Sequence, residues 1–279
     1  MEWQSQLNHY LRELCLPAMR ESYPEVARQA VAEPLSFEQF LLELARREAE
    51  QRRERRIERL RQEARLPSAK RLESFEQQRL PPKVRLQLAA LLEGGFLSRH
   101  ENVLAFGHPG SGKTHLLCGL CHALVEQGRR VRYATCSLLV QELLIAKREL
   151  KLAGHLRHLR RFEALLIDDL GYVQQSREEM EVLFTLLADR YEAGSVLITS
   201  NLPFSQWETI FKDPMTTAAA IDRLVHHSVI LELNVPSYRM AQAQRQAGPA
   251  AAGAAAPGAD GSAAGRSGAA ALPPTDNVT

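Results

Sequence analysis

The sequence predicts an α/β fold, a parallel five-stranded sheet between helices, with a small all-α region in front of it. Three observations carry this expectation. Apolar runs at 102–106, 130–135, 164–167, 195–199 and 228–233 alternate with helical patterns at 114–127, 138–151, 154–161, 177–193 and 218–225, and such alternation builds a parallel sheet covered on both faces. A glycine-rich stretch, 107–114, sits between the first of these strands and the first of these helices. Ahead of them, residues 1 to about 80 interleave helical apolar patterns with charge.

Length and composition bound the rest. The chain has 279 residues, 45% of them apolar and 24% charged, with a formal net charge of +2, which suits a globular domain with an appendage. Pro67 and the pair Pro81 and Pro82 mark a hinge or linker. The expected division is a helical domain over 1–80 for partner or DNA docking, an α/β domain over 83–240 that carries the glycine-rich stretch, and a tail over 241–279. The tail is Ala, Gly, Pro and Ser with hardly an anchor larger than Ala; it cannot offset its ordering entropy and is expected to be disordered. Met1 to Gln6 has no basic region leading into an apolar run, so a signal peptide is not expected. No apolar stretch reaches the about 18 residues of a membrane span. A cytoplasmic location and no membrane partner follow.

In the N-terminal region Leu7, Leu11, Leu14 and Ala18 fall at helical spacing. Ser36 to Gln39 reads as a capping box, followed by Phe37, Phe40, Leu41 and Leu44 at helical intervals. From Ala45 to Leu66 Arg and Glu dominate. That pattern suits a long exposed helix with i,i+4 ion pairs, too poor in apolar residues to stand without a neighbour. Its mixed charge fits protein contacts or a plain solvated face better than DNA.

Gly107, His108, Pro109, Gly110, Ser111, Gly112, Lys113 and Thr114 fit G-x-x-x-x-G-K-[ST]. The glycines let backbone N–H groups close on phosphate oxygens, and the following helix offers its positive end. Lys113 would reach the β- and γ-phosphates, and the Thr114 hydroxyl would hold Mg²⁺. With a strand before it and a helix after it, the loop predicts nucleoside triphosphate binding, with ATP and Mg²⁺ as cofactors.

The run 165–167 ends in Asp168 and Asp169. On a strand ending at the phosphates, Asp168 would bind Mg²⁺ directly or through water. Asp169 would orient the attacking water and accept its proton. A solvated loop pair is the alternative. Asn201 closes the run 197–200, where its amide can reach both γ-phosphate and water; a turn-forming Asn before Leu202 and Pro203 is the rival reading. Arg223 offers a planar permanent cation to a transferring phosphoryl, as an arginine finger does, or else makes a surface ion pair. Cys118 to His122 matches the haem-attachment spacing C-x-x-C-H. It lies inside the helix after the phosphate loop, so neither haem nor zinc is expected.

The chain resembles the IstB family of helper ATPases of insertion-sequence transposition, and more distantly the DnaC helicase loaders. The resemblance rests on 107–114 with His115 and Leu116 after it, on Leu165 through Tyr172, on Thr199 through Phe204, and on Asp222 through Ser228. It covers roughly 5–240 and implies a P-loop AAA+ (ASCE-type) core whose subunits pair through the nucleotide. Asn201 then resembles sensor 1, Arg223 a finger acting in trans, and His115 joins the nucleotide-binding segment. Asp169 stands where the family usually has Glu, which implies slower turnover, and no helical lid follows the last strand. The partners implied are double-stranded DNA, the transposase of the same element and further copies of the chain as a homo-oligomer. A helicase loader, a small-molecule kinase and a non-hydrolysing ATP-gated module are the competing functions.

Between 147 and 161 lie Lys147, Arg148, Lys151, Arg157, Arg160 and Arg161 with His155 and His158, and Glu149 is the single acid. Lys147, Lys151, His155 and His158 share a helical face, and a stripe of cations suits tracking along DNA phosphates, with Lys147, Lys151, Arg157, Arg160 and Arg161 as the candidate contacts. A solvated helix face is the alternative reading. No aromatic alternates with these cations, so base readout is not expected.

Overall fold

The computed structural model describes residues 2–171, 176–211 and 214–238. Tyr172 and the tail over 241–279 lie outside the described residues. Five strands, β1 (Asn102–Phe106), β2 (Val131–Thr135), β3 (Ala164–Leu170), β4 (Ser195–Ser200) and β5 (Ser228–Glu232), form one sheet in the order β2-β3-β4-β1-β5. Every pairing is parallel, as the strand–helix alternation predicts.

The strands alternate between two buried layers. Val103, Ala105, Leu166 and Leu197 face a cluster with α6 (Lys113–Glu126) and α4 (Pro82–Leu92). Leu104, Leu165, Ile167, Val196 and Ile198 face α7 (Cys136–Arg148), α9 (Arg177–Arg190) and α11 (Pro214–Val225). Cys118 and Cys121 belong to the first layer, and burial pushes the Cys118 thiol up to about 12 and Cys121 well above the ordinary thiol value. Neutral buried thiols are inert packing groups.

Ahead of α4 and the short α5 (Gly95–Ser98), the chain begins with three helices, α1 (Glu2–Glu13), α2 (Pro17–Ala32) and α3 (Phe37–Ala64). The capping box at Ser36 forms: its Oγ accepts from Gln39 N–H at 3.2 Å while Gln39 Oε1 accepts from Ser36 N–H at 2.9 Å. Two apolar patterns need correction. Ala18 does not extend the Leu7, Leu11 and Leu14 face, because α1 ends in a Schellman closure at Cys15 (φ 55°), with Leu16 N–H bonded to Leu11 O. Of Phe37, Phe40, Leu41 and Leu44 only Leu44 is buried, and Phe37 is 92% exposed. The long Arg/Glu helix has the expected i,i+4 pairs, Glu43–Arg47 and Glu48–Arg52. It also has the neighbours it requires. Buried Glu48 accepts from Ala18 and Met19 N–H at the start of α2, and Arg61 and Glu63 pair with Glu126 and Arg130 beside the sheet.

After α3 the proline-bounded segment runs along α6. His122 bonds Pro67 O, Leu72 packs on Gly119, and His115 bonds Arg71 O at 2.8 Å. These contacts place residues 70–80 over the loop after β1.

Candidate active site

Ligands of open parallel sheets bind beyond the carboxyl ends of the strands. Here β1 ends in the glycine loop, β3 in Asp168 and Asp169, and β4 at Asn201; because β4 lies between β1 and β3, the amide stands between loop and acids. A cleft of about 500 Å³ opens there, lined by Pro109 to His115, Asp168, Asp169 and Asn201, within the size range of small-molecule sites. Its other walls come from Phe75, Arg79 and Leu80 of the linker and from Val235, Pro236 and Tyr238 after β5. Arg79 lies over the Tyr238 ring at 5.5 Å, and Tyr238 N–H bonds Gly110 O at 2.9 Å.

The loop has the backbone a phosphate cradle needs. Gly112, the N-cap of α6, has φ 95°, and a Cβ there would stand 2.9 Å from the Phe75 ring, so a side chain is excluded by conformation and by space. Ser111 Oγ is buried without a hydrogen-bond partner among the described residues, a group that a bound phosphate oxygen would satisfy. Gly107 and His108 contribute carbonyls from behind: Lys113 Nζ donates to Gly107 O at 2.7 Å, to His108 O at 3.0 Å and to Asn201 Oδ1 at 2.6 Å. His115 lines the cleft, but its ring nitrogen is engaged with Arg71 O and with Ser74 Oγ at 3.2 Å.

Asp168 is buried at 2% exposure, whereas Asp169 faces the cleft. The β3–β4 register slips between Ile167 and Leu170, and Asp169 takes φ 60°. Asp is among the few residues that enter this left-handed region readily. Thr199 ties the pair together, its hydroxyl donating to Asp168 Oδ1 at 2.6 Å and accepting from Asp169 N–H at 2.8 Å. Tyr133 donates to Asp168 Oδ2 at 3.0 Å. Neither role is visible in a motif: Thr199 stands in the segment before Asn201 without an assigned function, and Tyr133 lies on a different strand. The donor set of Thr114 hydroxyl and Asp168 carboxylate suits Mg²⁺, which takes few protein oxygens and completes its shell with phosphate and water.

Arg223 is not part of this cleft. It lines a second cavity of about 210 Å³ with Asn102, Val196 and His227, at the amino ends of the strands. The length of β1 separates the two, about 16 Å at 3.3 Å per residue. There the guanidinium lies 5.0 Å over the Phe184 ring and donates to Ala219 O; no ion pair to Asp222 or Glu232 is formed.

The basic segment departs from the single stripe. Leu150 (φ 57°) ends α7 with another Schellman closure, Lys151 N–H to Ala146 O, and α8 (Leu152–Leu159) starts afresh. Lys147 pairs with Glu181 at 3.1 Å, Lys151 with Glu149 at 2.8 Å, and Arg160 Nε with Asp189 at 2.8 Å. His155 is half-buried 3.7 Å from Glu142, and burial lowers its pKa despite that carboxylate. Arg148, Arg157 and Arg161 are exposed and have no ion pair among the described residues.

A five-stranded parallel sheet with the glycine loop after β1, acids near the end of β3 and an amide after β4 defines a P-loop nucleotide-binding fold. The chain belongs to the family of IstB-like ATP binding proteins, whose family model matches residues 9–247. An insertion sequence ATP-binding protein of Sinorhizobium fredii (strain NBRC 101917 / NGR234) is 43% identical over 237 residues, covering 85% of this chain and 80% of its own length. The insertion sequence IS21 ATP-binding protein of Pseudomonas aeruginosa is 38% identical over 223 residues, 79% of this chain and 83% of its own. AMPPCP-bound DnaA from Aquifex aeolicus shares the fold, with TM-score 0.52 and 16% identity over 65% of this chain and 55% of that one. Among the described residues no helix is long and apolar enough to cross a membrane.

Proposed function

We propose that this chain is an ATPase that serves the transposition of an insertion element. With ATP and Mg²⁺ bound it assembles on double-stranded target DNA, recruits or stimulates the partner transposase, and comes apart on hydrolysis. The reading is supported by the insertion-sequence names of its relatives. The observation that carries it is the division of the machinery: Lys113, Asp168, Asp169 and Asn201 meet in one cleft, while Arg223 stands at the far end of the same sheet.

In this reading Lys113 exchanges its loop carbonyls for the β- and γ-phosphate oxygens. Thr114 and Asp168 would hold Mg²⁺, which supplies charge neutralisation across those phosphates. Asp169 accepts a proton from the attacking water as the water oxygen bonds to the γ-phosphorus and the bond to the bridging oxygen breaks, giving ADP and phosphate. Asn201 accepts from Lys113 through Oδ1, which leaves its Nδ2 to donate to the γ-phosphate. A finger 16 Å or so from its own loop serves a neighbour's nucleotide, so hydrolysis follows assembly. Arg148, Arg157 and Arg161 supply phosphate contacts to duplex DNA without reading bases.

Phosphate release by the purified protein, with and without duplex, tests the reading, together with capture of the transposase from the same element. Duplex-stimulated release and capture of the transposase are expected. Phosphorylation of an added acceptor, or capture of a replicative helicase instead, would overturn it.

A further inference from the structure

Both oxygens of the buried Asp168 carboxylate accept a hydroxyl, Oδ1 from Thr199 at 2.6 Å and Oδ2 from Tyr133 at 3.0 Å. Thr199 sits on the strand that also leads to Asn201, but Tyr133 comes from the edge strand β2. In the β2–β3 register Thr135 stands opposite Asp168 and Tyr133 opposite Leu166. Residues two apart on a strand share a face, so Tyr133 is the diagonal neighbour of Asp168. Strands about 4.8 Å apart with a rise of about 3.3 Å per residue put such neighbours roughly 8 Å apart, within reach of a long aromatic side chain. The phenol spans that gap while its ring packs against the same buried layer as Leu72 and Phe75 of the linker.

We propose that Tyr133 is a positioning residue for the metal side of the nucleotide site, acting through Asp168. Each carboxylate oxygen has two lone-pair sites. Thr199 and Tyr133 take one on each oxygen and fix the plane of the group, which leaves the second pair of each free for Mg²⁺ or its water. Without the phenol hydroxyl the carboxylate hangs on one bond and can rotate about its χ2, a broad torsion. The phenol is the donor of this pair, because an ionised carboxylate can only accept. The inference rests on the reading of Asp168 as a metal-side carboxylate.

Tyr133→Phe keeps the ring and deletes the hydroxyl. Equilibrium binding of a fluorescent ATP analogue, titrated with Mg²⁺ and repeated in EDTA, separates metal from nucleotide. The variant is expected to bind the analogue like the parent in EDTA and to remain folded, with a melting temperature lowered by the lost buried hydrogen bond. The Mg²⁺ concentration for half-maximal effect should rise about tenfold, the usual consequence of losing an outer-sphere partner. Tyr133→Met serves the same purpose should the Phe variant not fold. Asp168→Asn is the control and should lose the metal dependence. Unchanged Mg²⁺ dependence in Tyr133→Phe beside a loss in Asp168→Asn overturns the role of Tyr133 alone. Unchanged dependence in both overturns the assignment of Asp168 as well.

Discussion

Lys113 and Asn201, 88 residues apart in the chain, are joined by a 2.6 Å hydrogen bond between Nζ and Oδ1. The bond links the phosphate loop to the end of β4, so a γ-phosphate that engages the lysine is placed against the amide in the same event. Substituting the two should therefore give different defects. Lys113→Ala removes a charged donor and should weaken ATP binding by about 100-fold or more. Asn201→Ala should bind ATP nearly as the parent does and lose hydrolysis by about 10²–10³-fold, the loss typical of one catalytic hydrogen-bond donor. Calorimetric titration beside phosphate release distinguishes them.

Thr199→Val preserves shape and deletes a hydroxyl that serves two partners, Asp168 Oδ1 and Asp169 N–H. A buried carboxylate loses a donor and a backbone N–H loses its acceptor, at a stability cost of about 2 kcal/mol. Urea unfolding should show that cost, and phosphate release should fall with it. A neutral result in both measurements would remove Thr199 from the site.

For Arg223 the position at the amino ends of the strands predicts complementation. Arg223→Ala should bind ATP normally and hydrolyse it about 10³-fold more slowly, as loss of a finger does. Lys113→Ala is idle at its own site but still carries the arginine. Mixing the two inactive proteins should restore phosphate release at junctions where an intact cleft meets an intact Arg223. No restoration at any mixing ratio would contradict action in trans.

Ion pairing divides the basic segment into two classes. Arg157→Glu with Arg161→Glu removes two exposed cations that have no ion pair among the described residues. It should weaken duplex binding and lower the salt slope by about 2, near 0.9 per phosphate contact. Lys151→Ala, already paired with Glu149, should change the slope much less. Fluorescence anisotropy across a salt series reads both.

Glu48 carries the clearest pH signature in the N-terminal helices. Burial raises its pKa, but the hydrogen bonds from Arg52, Met19 and Ala18 outweigh that, and the net shift is downward from 4.5. A carboxyl depressed in the folded state contributes stability above its unfolded pKa and loses it as pH falls through the folded value. The parent should therefore be more stable than Glu48→Gln at neutral pH, with the difference closing below about pH 4.5. Denaturant midpoints at several pH values check the sign.

Much of the fold was legible because its signals are local. The apolar runs, the glycines and the box at Ser36 each encode one element, and the strand boundaries follow within a few residues. The glycine loop, the carboxylates and the amide at three strand ends were legible because a parallel sheet brings its carboxyl ends to one rim. What escaped is set by tertiary contacts. Cys15 and Leu150 take positive φ without being glycine, so the two helix breaks that split the apolar face and the basic stripe had no composition mark. The hydroxyl of Tyr133 matters through cross-strand register, which a single strand does not reveal. Phe75 and Tyr238 wall the cleft from a segment that reads as linker and from residues beyond the last expected strand.

The central claim is that nucleotide bound between copies drives assembly on duplex DNA. Mass photometry of the purified protein with a duplex, Mg²⁺ and a slowly hydrolysed ATP analogue tests it directly. The account predicts large DNA-bound oligomers that require both duplex and analogue and that Lys113→Ala fails to form. A protein that stays monomeric under these conditions while still binding the analogue would contradict it.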